Sequence, residues 1–273
     1  MNPSRPFNKN SPHHKPWVML TAYDAIMTRA IEDGDGDLIL VGDSLGRAVL
    51  GYDSENEVSL DDMIHHARAV LRKRTRCPVI VDLPFNTYNN PDQALASAKK
   101  VHAIGCDAIK LEGPLSESIS TISKSGIPVV AHLGYTPQTA PSEGSKVVGK
   151  NLEQARQLLE DCLLIENAGA CMLVIEMVPR EVAKVITEKI SIPVIGIGSG
   201  PDCDGQVLVT TDMWGDHPVA FKFLKSFGSL LDNRTKACRS YAEEVRTGAF
   251  PSDKNSFHIK QAEKEAWLKQ HAT

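Results

Sequence analysis

Four short apolar runs in this chain each end in a carboxylate. Residues 38–41 are followed by Asp43, 79–81 by Asp82, 108–111 by Glu112, and 172–175 by Glu176. Acids at the same relative place in four buried strands carry a heavy desolvation cost unless something positive sits among them. If the runs are parallel strands of a closed barrel, their C-terminal ends converge on one mouth and the four acids meet in space. Such a cluster suits a hard cation held by oxygen, with one carboxylate left over to move a proton.

Each acid can be read in more than one way. Asp43 and Asp82 would follow neighbouring strands, where two carboxylates in a partly dry mouth repel unless a divalent ion neutralises them. Oxygen-only ligation favours Mg²⁺ over zinc, since no His/Cys cluster accompanies the acids. Spacing alone leaves open that each acid caps a loop or pairs with a lysine. Lys110 and Glu112 are two residues apart, hence on one face of a strand. Lys110 there could hold a substrate carboxylate, and Glu112 could reach a metal directly or through water; a plain internal salt bridge between the two is the other reading. Glu176 would face a metal-bound carbonyl from across the barrel, placed to remove a proton from the neighbouring carbon. His132, at the end of a fifth run, could donate to a substrate, although a lone histidine is more often structural.

Two further signals are weaker. Gly196-Ile197-Gly198-Ser199-Gly200 resembles a barrel phosphate loop, or serves only to turn the backbone. Asp33-Gly34-Asp35-Gly36-Asp37 looks like the start of a calcium loop, but Leu38 stands where that loop requires glycine, so it reads as a turn. His65-His66 read as surface residues.

The elements that must position these groups alternate along the chain. Strand candidates are residues 17–21, 38–41, 79–82, 108–112, 128–132, 172–176, 193–197 and 207–211. A helix is expected from Ser59, where Asp62 completes a Ser-x-x-Asp capping signal and Leu60, Ile64, Ala67 and Leu71 share a face. Others are expected from Asn90-Pro91 to Gly105, after Ser116 to Gly126, over 152–169 and over 179–190. Strands apolar throughout imply a parallel sheet covered by helices, and eight such units close most simply into a (βα)8 TIM barrel. The alternative, an open doubly wound sheet, would want a glycine fingerprint after its first strand, and Thr21-Ala22-Tyr23-Asp24 is not one. Residues 17–250 are therefore read as one barrel domain, with 233–248 as its last covering helix. Residues 1–16 read as a disordered leader without an apolar h-region, and 251–273 as a charged extension in which 260–269 form a short solvated helix.

Composition agrees with a soluble globular protein. The chain has 273 residues, 42% of them hydrophobic and 23% charged, with a formal net charge of −4. That balance gives no general attraction to nucleic acid or anionic membrane, and no run approaches the roughly 20 apolar residues of a membrane span. The six cysteines form no CxxC pair and read as reduced core residues of a cytoplasmic protein.

Several segments together resemble the ketopantoate hydroxymethyltransferase (3-methyl-2-oxobutanoate hydroxymethyltransferase) family. They are Thr21-Ala22-Tyr23-Asp24, Val41-Gly42-Asp43-Ser44-Leu45-Gly46, Asp82-Leu83-Pro84-Phe85, Lys110-Leu111-Glu112-Gly113, the run from His132 to Gln138, Ile175-Glu176-Met177-Val178-Pro179, the 192–200 loop, the run from Asp204 to Val209, and Ser256-Phe257-His258. The resemblance implies a (βα)8 barrel and Mg²⁺. It also implies transfer of a one-carbon unit from 5,10-methylenetetrahydrofolate to 3-methyl-2-oxobutanoate, giving 2-dehydropantoate in pantothenate synthesis. By the same resemblance Asp43, Asp82 and Glu112 form the metal set, Asp43, Ser44, Asp82 and Lys110 contact the oxo acid, and Glu176 accepts the proton. A cytoplasmic homo-oligomer, commonly a decamer, is implied too.

Two places depart from the pattern. Residues 141–150 lack the glycine–glycine–aromatic run before Lys146-Val147, and the stretches Trp214–Val219 and Phe221-Lys222-Phe223 blur a glycine-rich turn and a Pro-Lys-Phe. Both bear on folate affinity and assembly more than on the metal or the base. Two other readings stay open: a Mg²⁺-dependent C–C lyase or mutase of the isocitrate-lyase kind, although no cysteine-bearing lid loop is found, and a non-catalytic oxo-acid-binding paralogue.

Overall fold

Strands apolar on both faces are stable only when one face fills an interior and the other meets helices. In the computed structural model, which describes residues 7, 9, 15–140, 147–216 and 221–271, that condition is met by closure. The strands are β1 (Trp17–Thr21), β2 (Leu38–Val41), β3 (Val79–Asp82), β4 (Ala108–Glu112), β5 (Val129–Gly134), β6 (Met172–Glu176), β7 (Val194–Ile197) and β8 (Gly205–Leu208). All pair in parallel in chain order, and β8 returns to β1 to form a closed barrel. The helices are α1 (Ala25–Asp33), α2 (Leu60–Leu71), α3 (Pro91–His102), α4 (Ser116–Lys124), α5 (Leu152–Asn167), α6 (Arg180–Lys189), α7 (Thr210–Trp214), α8 (Leu230–Thr247) and α9 (Gln261–Gln270).

The two-residue period of a strand divides the core in two. Met19, Leu38, Leu40, Ile80, Ala108, Val130, Met172, Val174, Ile195 and Val207 fill the barrel interior as one apolar cluster. The alternate residues, among them Ile39, Val41, Val79, Val81, Ile109, Leu111, Leu173 and Ile175, pack outward against Met63, Ala67, Ala94, Ala98, Ile119, Leu158 and Ile186 of the helices. Two more residues along the inward series, Ile80 leads to Asp82, Ala108 to Lys110 and Glu112, Val130 to His132, and Val174 to Glu176. The polar mouth is the top layer of the apolar plug.

Most helix signals are used as expected. Ser59 and Asp62 form the capping box of α2, and Asn90 caps α3 with Pro91 at its first turn. The Asp33–Asp37 segment is a turn that ends α1. Helix α1, not among the expected helices, is capped by Asp24, whose carboxylate accepts from the N–H groups of Ile26 and Met27. No two of the six cysteines are bonded, and only Cys238 is exposed.

Three expectations need correction. Strand β8 is Gly205–Leu208, not 207–211, because the chain turns into α7 at Thr210. There the Thr210 N–H and hydroxyl both bond Thr21, at 3.0 and 2.6 Å. The last covering helix is not one. Helix α8 forms over Leu230–Thr247, but none of its residues is buried, and Leu231, Tyr241 and Val245 face outward. The leader does not stand wholly apart. Phe7 is buried in the interior cluster, edge-on to Trp17 at 6.4 Å, and Lys9 pairs with Asp204 at 3.1 Å and bonds the Thr187 and Ile190 carbonyls. The remainder of 1–14 lies outside the described residues. Among the described residues no helix is long and apolar enough to cross a membrane.

Glu32 ties α1 to the segment entering β3. Its carboxylate accepts from the N–H groups of Thr75, Arg76 and Cys77 and from the Thr75 hydroxyl. Burial works to raise its pKa, but these donors outweigh it and bring it down to about 2. A depressed carboxylate pKa stabilises the fold above its ordinary value and ceases to do so as pH falls toward the folded value. Glu32→Ala is expected to cost about 2 kcal/mol at neutral pH. Urea unfolding of both proteins at several pH values would check this: the difference must shrink below about pH 4.3. A difference independent of pH would refute the assignment.

Candidate active site

Strand register brings the predicted residues together. Asp82 lies opposite Lys110 in the β3–β4 pairing, Glu112 opposite His132 in β4–β5, and Gly134 opposite Glu176 in β5–β6. Opposed residues share a face, so the side chains of Asp82, Lys110, Glu112, His132 and Glu176 reach the C-terminal mouth. They line one cavity of about 420 Å³, together with Asp43 and Ser44 from the loop after β2.

The contacts form two chains. Lys110 Nζ sits 2.8 Å from Asp82 Oδ1, while Asp82 Oδ2 accepts from the Asp43 N–H at 3.2 Å. His132 Nδ1 lies 3.1 Å from Glu112 Oε1, and its Nε2 is 3.3 Å from Glu176 Oε2. That last contact is an ion pair without an aligned hydrogen bond, so the buried Nε2 has no hydrogen-bond partner. The Ser44 hydroxyl bonds Tyr23 Oη at 2.9 Å. Lys110 thus pairs with Asp82 and not with Glu112, so the simple Lys110–Glu112 bridge is not what forms.

Burial makes these charges interact strongly. Asp43 is raised well above the ordinary carboxylate range, first by burial and then by Asp82, with Lys110 and Gln138 opposing. Burial alone would lower Lys110, but Asp82, Glu112 and Asp43 together carry it above its usual value. Glu112 is buried too, yet His132, Lys110 and the Gln138 N–H hold it below the usual range. For His132, burial and Lys110 favour the neutral ring; Glu112 and Glu176 outweigh them and bring it to about 9.

The donor set fits a hard divalent cation in its chemistry. Asp43, Asp82, Glu112 and Glu176 face one lysine and one histidinium, so two of the four carboxyls have no counter-charge, and Asp43, buried beside Asp82, has its pKa raised. The three acids Asp43, Asp82 and Glu112 share the cavity, but they are not closed round one point. Among the described residues no three His, Cys, Asp or Glu side chains form a ready-made metal cage. A Mg²⁺ here would keep water among its ligands, as that ion usually does.

The 196–200 loop behaves as a turn. The Ser199 hydroxyl is directed inward to the Ile175 carbonyl at 2.9 Å, and the Phe223 ring packs over Gly198 so closely that a Cβ there would collide with it. His65 is exposed, whereas His66 is half-buried with Nδ1 2.7 Å from the Tyr23 carbonyl. Residues 141–146 and 217–220, which carry most of the departures from the family pattern, lie outside the described residues.

Two site residues escaped the sequence reading. Gln138 and Tyr88 approach from the loops after β5 and β3, and Gln138 Nε2 donates to Asp43 Oδ2 at 2.6 Å. Gln138 ends one of the segments that carry the resemblance, but in a loop that also holds Thr136, Pro137 and Thr139 nothing local shows that it turns inward.

The model of the family described as ketopantoate hydroxymethyltransferase matches residues 4–253. The chain belongs to that family. A 3-methyl-2-oxobutanoate hydroxymethyltransferase of Halalkalibacterium halodurans is 43% identical over 269 residues, covering 96% of each chain. One from Exiguobacterium sp. is 47% identical over 252 residues, covering 90% of this chain and 91% of that one. Among solved structures, a phosphoenolpyruvate phosphomutase of Streptomyces platensis superposes with TM-score 0.61 at 10% identity, covering 97% of both chains. A phosphonopyruvate hydrolase, solved as a complex with oxalate and Mg²⁺, gives 0.58 at 13% identity over 94% of each. At that identity the mutase-like proteins share the fold alone.

Glycine at 134 lets β5 approach β6. Its φ is +89°, the Tyr135 N–H bonds the Glu176 carbonyl at 2.8 Å, and a Cβ at 134 would run into that carbonyl. Gly134→Ala is expected to cost about 1–3 kcal/mol and to move Glu176 away from His132. Calorimetric unfolding and NMR titration of the His132 ring would read both effects. The ring pKa is expected to fall below that of the wild type, and a ring that titrates as in the wild type would refute the coupling.

Proposed function

We propose that the chain catalyses transfer of a hydroxymethyl unit from 5,10-methylenetetrahydrofolate to 3-methyl-2-oxobutanoate, giving 2-dehydropantoate. The observation that carries this reading is the buried set Asp43, Asp82, Lys110, Glu112 and His132, with Glu176 beside it in one cavity, in a chain of this family. Asp43, Asp82 and Glu112 would hold Mg²⁺. When bound, the ion supplies Lewis acidity that makes the hydrogen at C3 of a chelated 2-oxo acid removable.

The chain's own residues do the rest. Lys110, kept charged by the acids round it, offers a cation to the substrate carboxylate, and the Ser44 hydroxyl a hydrogen bond. His132 Nε2, buried and without a hydrogen-bond partner, can donate to a substrate oxygen. Glu176, at the rim and half-buried, accepts the C3 proton. Its neighbour Met177 holds φ at +49°, a conformation costly for a side-chain-bearing residue and typical of functional sites. C3 then bonds to the methylene carbon, both C–N bonds that held this carbon to the folate break, water supplies the hydroxyl, and the two folate nitrogens take up the C3 proton and the remaining proton of the water. The apolar cavity wall from Val174, Ile197 and Val207 keeps bulk water from the reacting carbon.

A homo-oligomer is part of the same reading. Leu231 and Val245 of α8 are exposed, and Tyr241 is exposed too although its ring meets Phe250 at 5.6 Å, which supports contact with another copy. The decameric number and the cytoplasm come from the resemblance alone.

Proton removal can be tested without folate, by NMR of deuterium uptake at C3 of 3-methyl-2-oxobutanoate. With Mg²⁺ the wild type is expected to exchange, chelation by EDTA to stop it, and Glu176→Gln to slow it by about 10²–10⁴-fold. No exchange in the wild type, or undiminished exchange in the variant, would remove Glu176 from the role of base. Oxo-acid binding without turnover at saturating folate would favour the non-catalytic paralogue.

A further inference from the structure

Gln138 is buried at 3% exposure, and the proposed reaction assigns it nothing. Every polar atom of its side chain is engaged. Nε2 donates to Asp43 Oδ2 at 2.6 Å and to the Leu83 carbonyl at 3.1 Å, while Oε1 accepts from the Tyr88 hydroxyl. Its backbone N–H donates to Glu112 Oε2 at 3.1 Å, and its carbonyl accepts from Asn56 Nδ2 at 3.1 Å. One residue therefore touches two of the three acids read as the metal set.

The orientation of the amide is not arbitrary. A backbone carbonyl can only accept, so the NH₂ end must face Leu83, and with it Asp43. Oε1 then faces Tyr88, whose hydroxyl must donate. Tyr88 is itself buried, and the acids round it, together with burial, keep its phenol protonated. The Tyr88 → Gln138 → Asp43 chain has one polarity and no spare donor. It fixes which oxygen of Asp43 is taken up by the protein and which is left for the cavity.

We infer that Gln138 is a positioning residue for the divalent-ion site, orienting Asp43 through its side-chain amide and Glu112 through its backbone N–H, with Tyr88 locking the amide. The inference rests on the reading of Asp43, Asp82 and Glu112 as metal ligands. It also ties the loop after β5 to the ion: one of the two stretches that depart from the family pattern begins three residues beyond Gln138.

The test is metal affinity of the full chain without substrate or folate, by Mn²⁺ EPR and Mg²⁺ calorimetry, with thermal unfolding alongside. Gln138→Met keeps the volume and loses the amide; it is expected to weaken binding about 10–100-fold, the range typical of lost outer-shell partners. Tyr88→Phe keeps the ring and loses only the donor, with a smaller loss of several-fold expected. In the double variant the Tyr88 effect should vanish, because it acts through Gln138. A purely structural staple would lower the unfolding temperature of both variants and leave their ion affinity as in the wild type, which would overturn the inference. If Gln138→Met does not fold, Tyr88→Phe decides alone, and unchanged affinity there refutes the locking chain. A wild type that binds neither ion would overturn the metal reading itself, and this inference with it.

Discussion

Holding several carboxylates in a nearly dry space is unfavourable unless each is given a counter-charge or a donor. The mouth of this barrel meets that demand unevenly. Asp82 has Lys110, and Glu112 has His132 and a backbone N–H, whereas Asp43 has one amide, a like charge beside it and a raised pKa. The unevenness is useful. A site that neutralised every acid internally would have no affinity for a cation, and one that neutralised none would not fold with the acids buried. Two carboxyls without a counter-charge, facing a small cavity, are a donor set that a hard divalent cation fits.

The scaffold makes that arrangement affordable because the charged layer rests on packed hydrocarbon. Leu40, Ile80, Ala108, Val130, Val174 and Ile195 lie one step below the mouth on their strands, and Phe7 with Trp17 closes the far end. Close packing beneath leaves the strand ends little room to move, so the distances among Asp82, Glu112 and Glu176 are set by register. The loops then finish the site: the one after β2 brings Asp43 and Ser44, those after β3 and β5 bring Tyr88 and Gln138, and the tight contact at Gly134 fixes Glu176. The mouth is thus lined both by side chains carried on strands and by side chains that the loops bring to them.

Comparison with known proteins draws the same division. Relatives at 43–47% identity share nearly the whole chain, while proteins of the phosphoenolpyruvate phosphomutase kind share the barrel at 10–15% identity. A barrel of strand ends can be kept while its chemistry changes, since the loops carry much of the specificity.

The barrel and the acids were legible in the residues because both depend on short-range rules. A run of four or five apolar residues between helical segments has one stable use, and a carboxylate at its end must emerge at the strand's C-terminus; five of the eight strands have the bounds read from the sequence, and all four acids lie in or beside the mouth. Capping residues such as Ser59 and Asn90 act on their own helix and are equally readable. What stayed hidden depends on partners distant along the chain. Asp82 was as free to be a ligand as to pair with a lysine until register set Lys110 opposite it. Gln138 meets Asp43 across 95 positions, and Lys9 meets Asp204 across the barrel's underside. Helix α8 has the pattern of a covering helix, yet a stripe of Leu231, Tyr241 and Val245 does not say which surface it must cover. Local pattern determined which residues are buried and where the charges emerge. Only the tertiary structure decided which charge faces which, because in a dry interior that outcome turns on ångström distances that no spacing along the chain encodes.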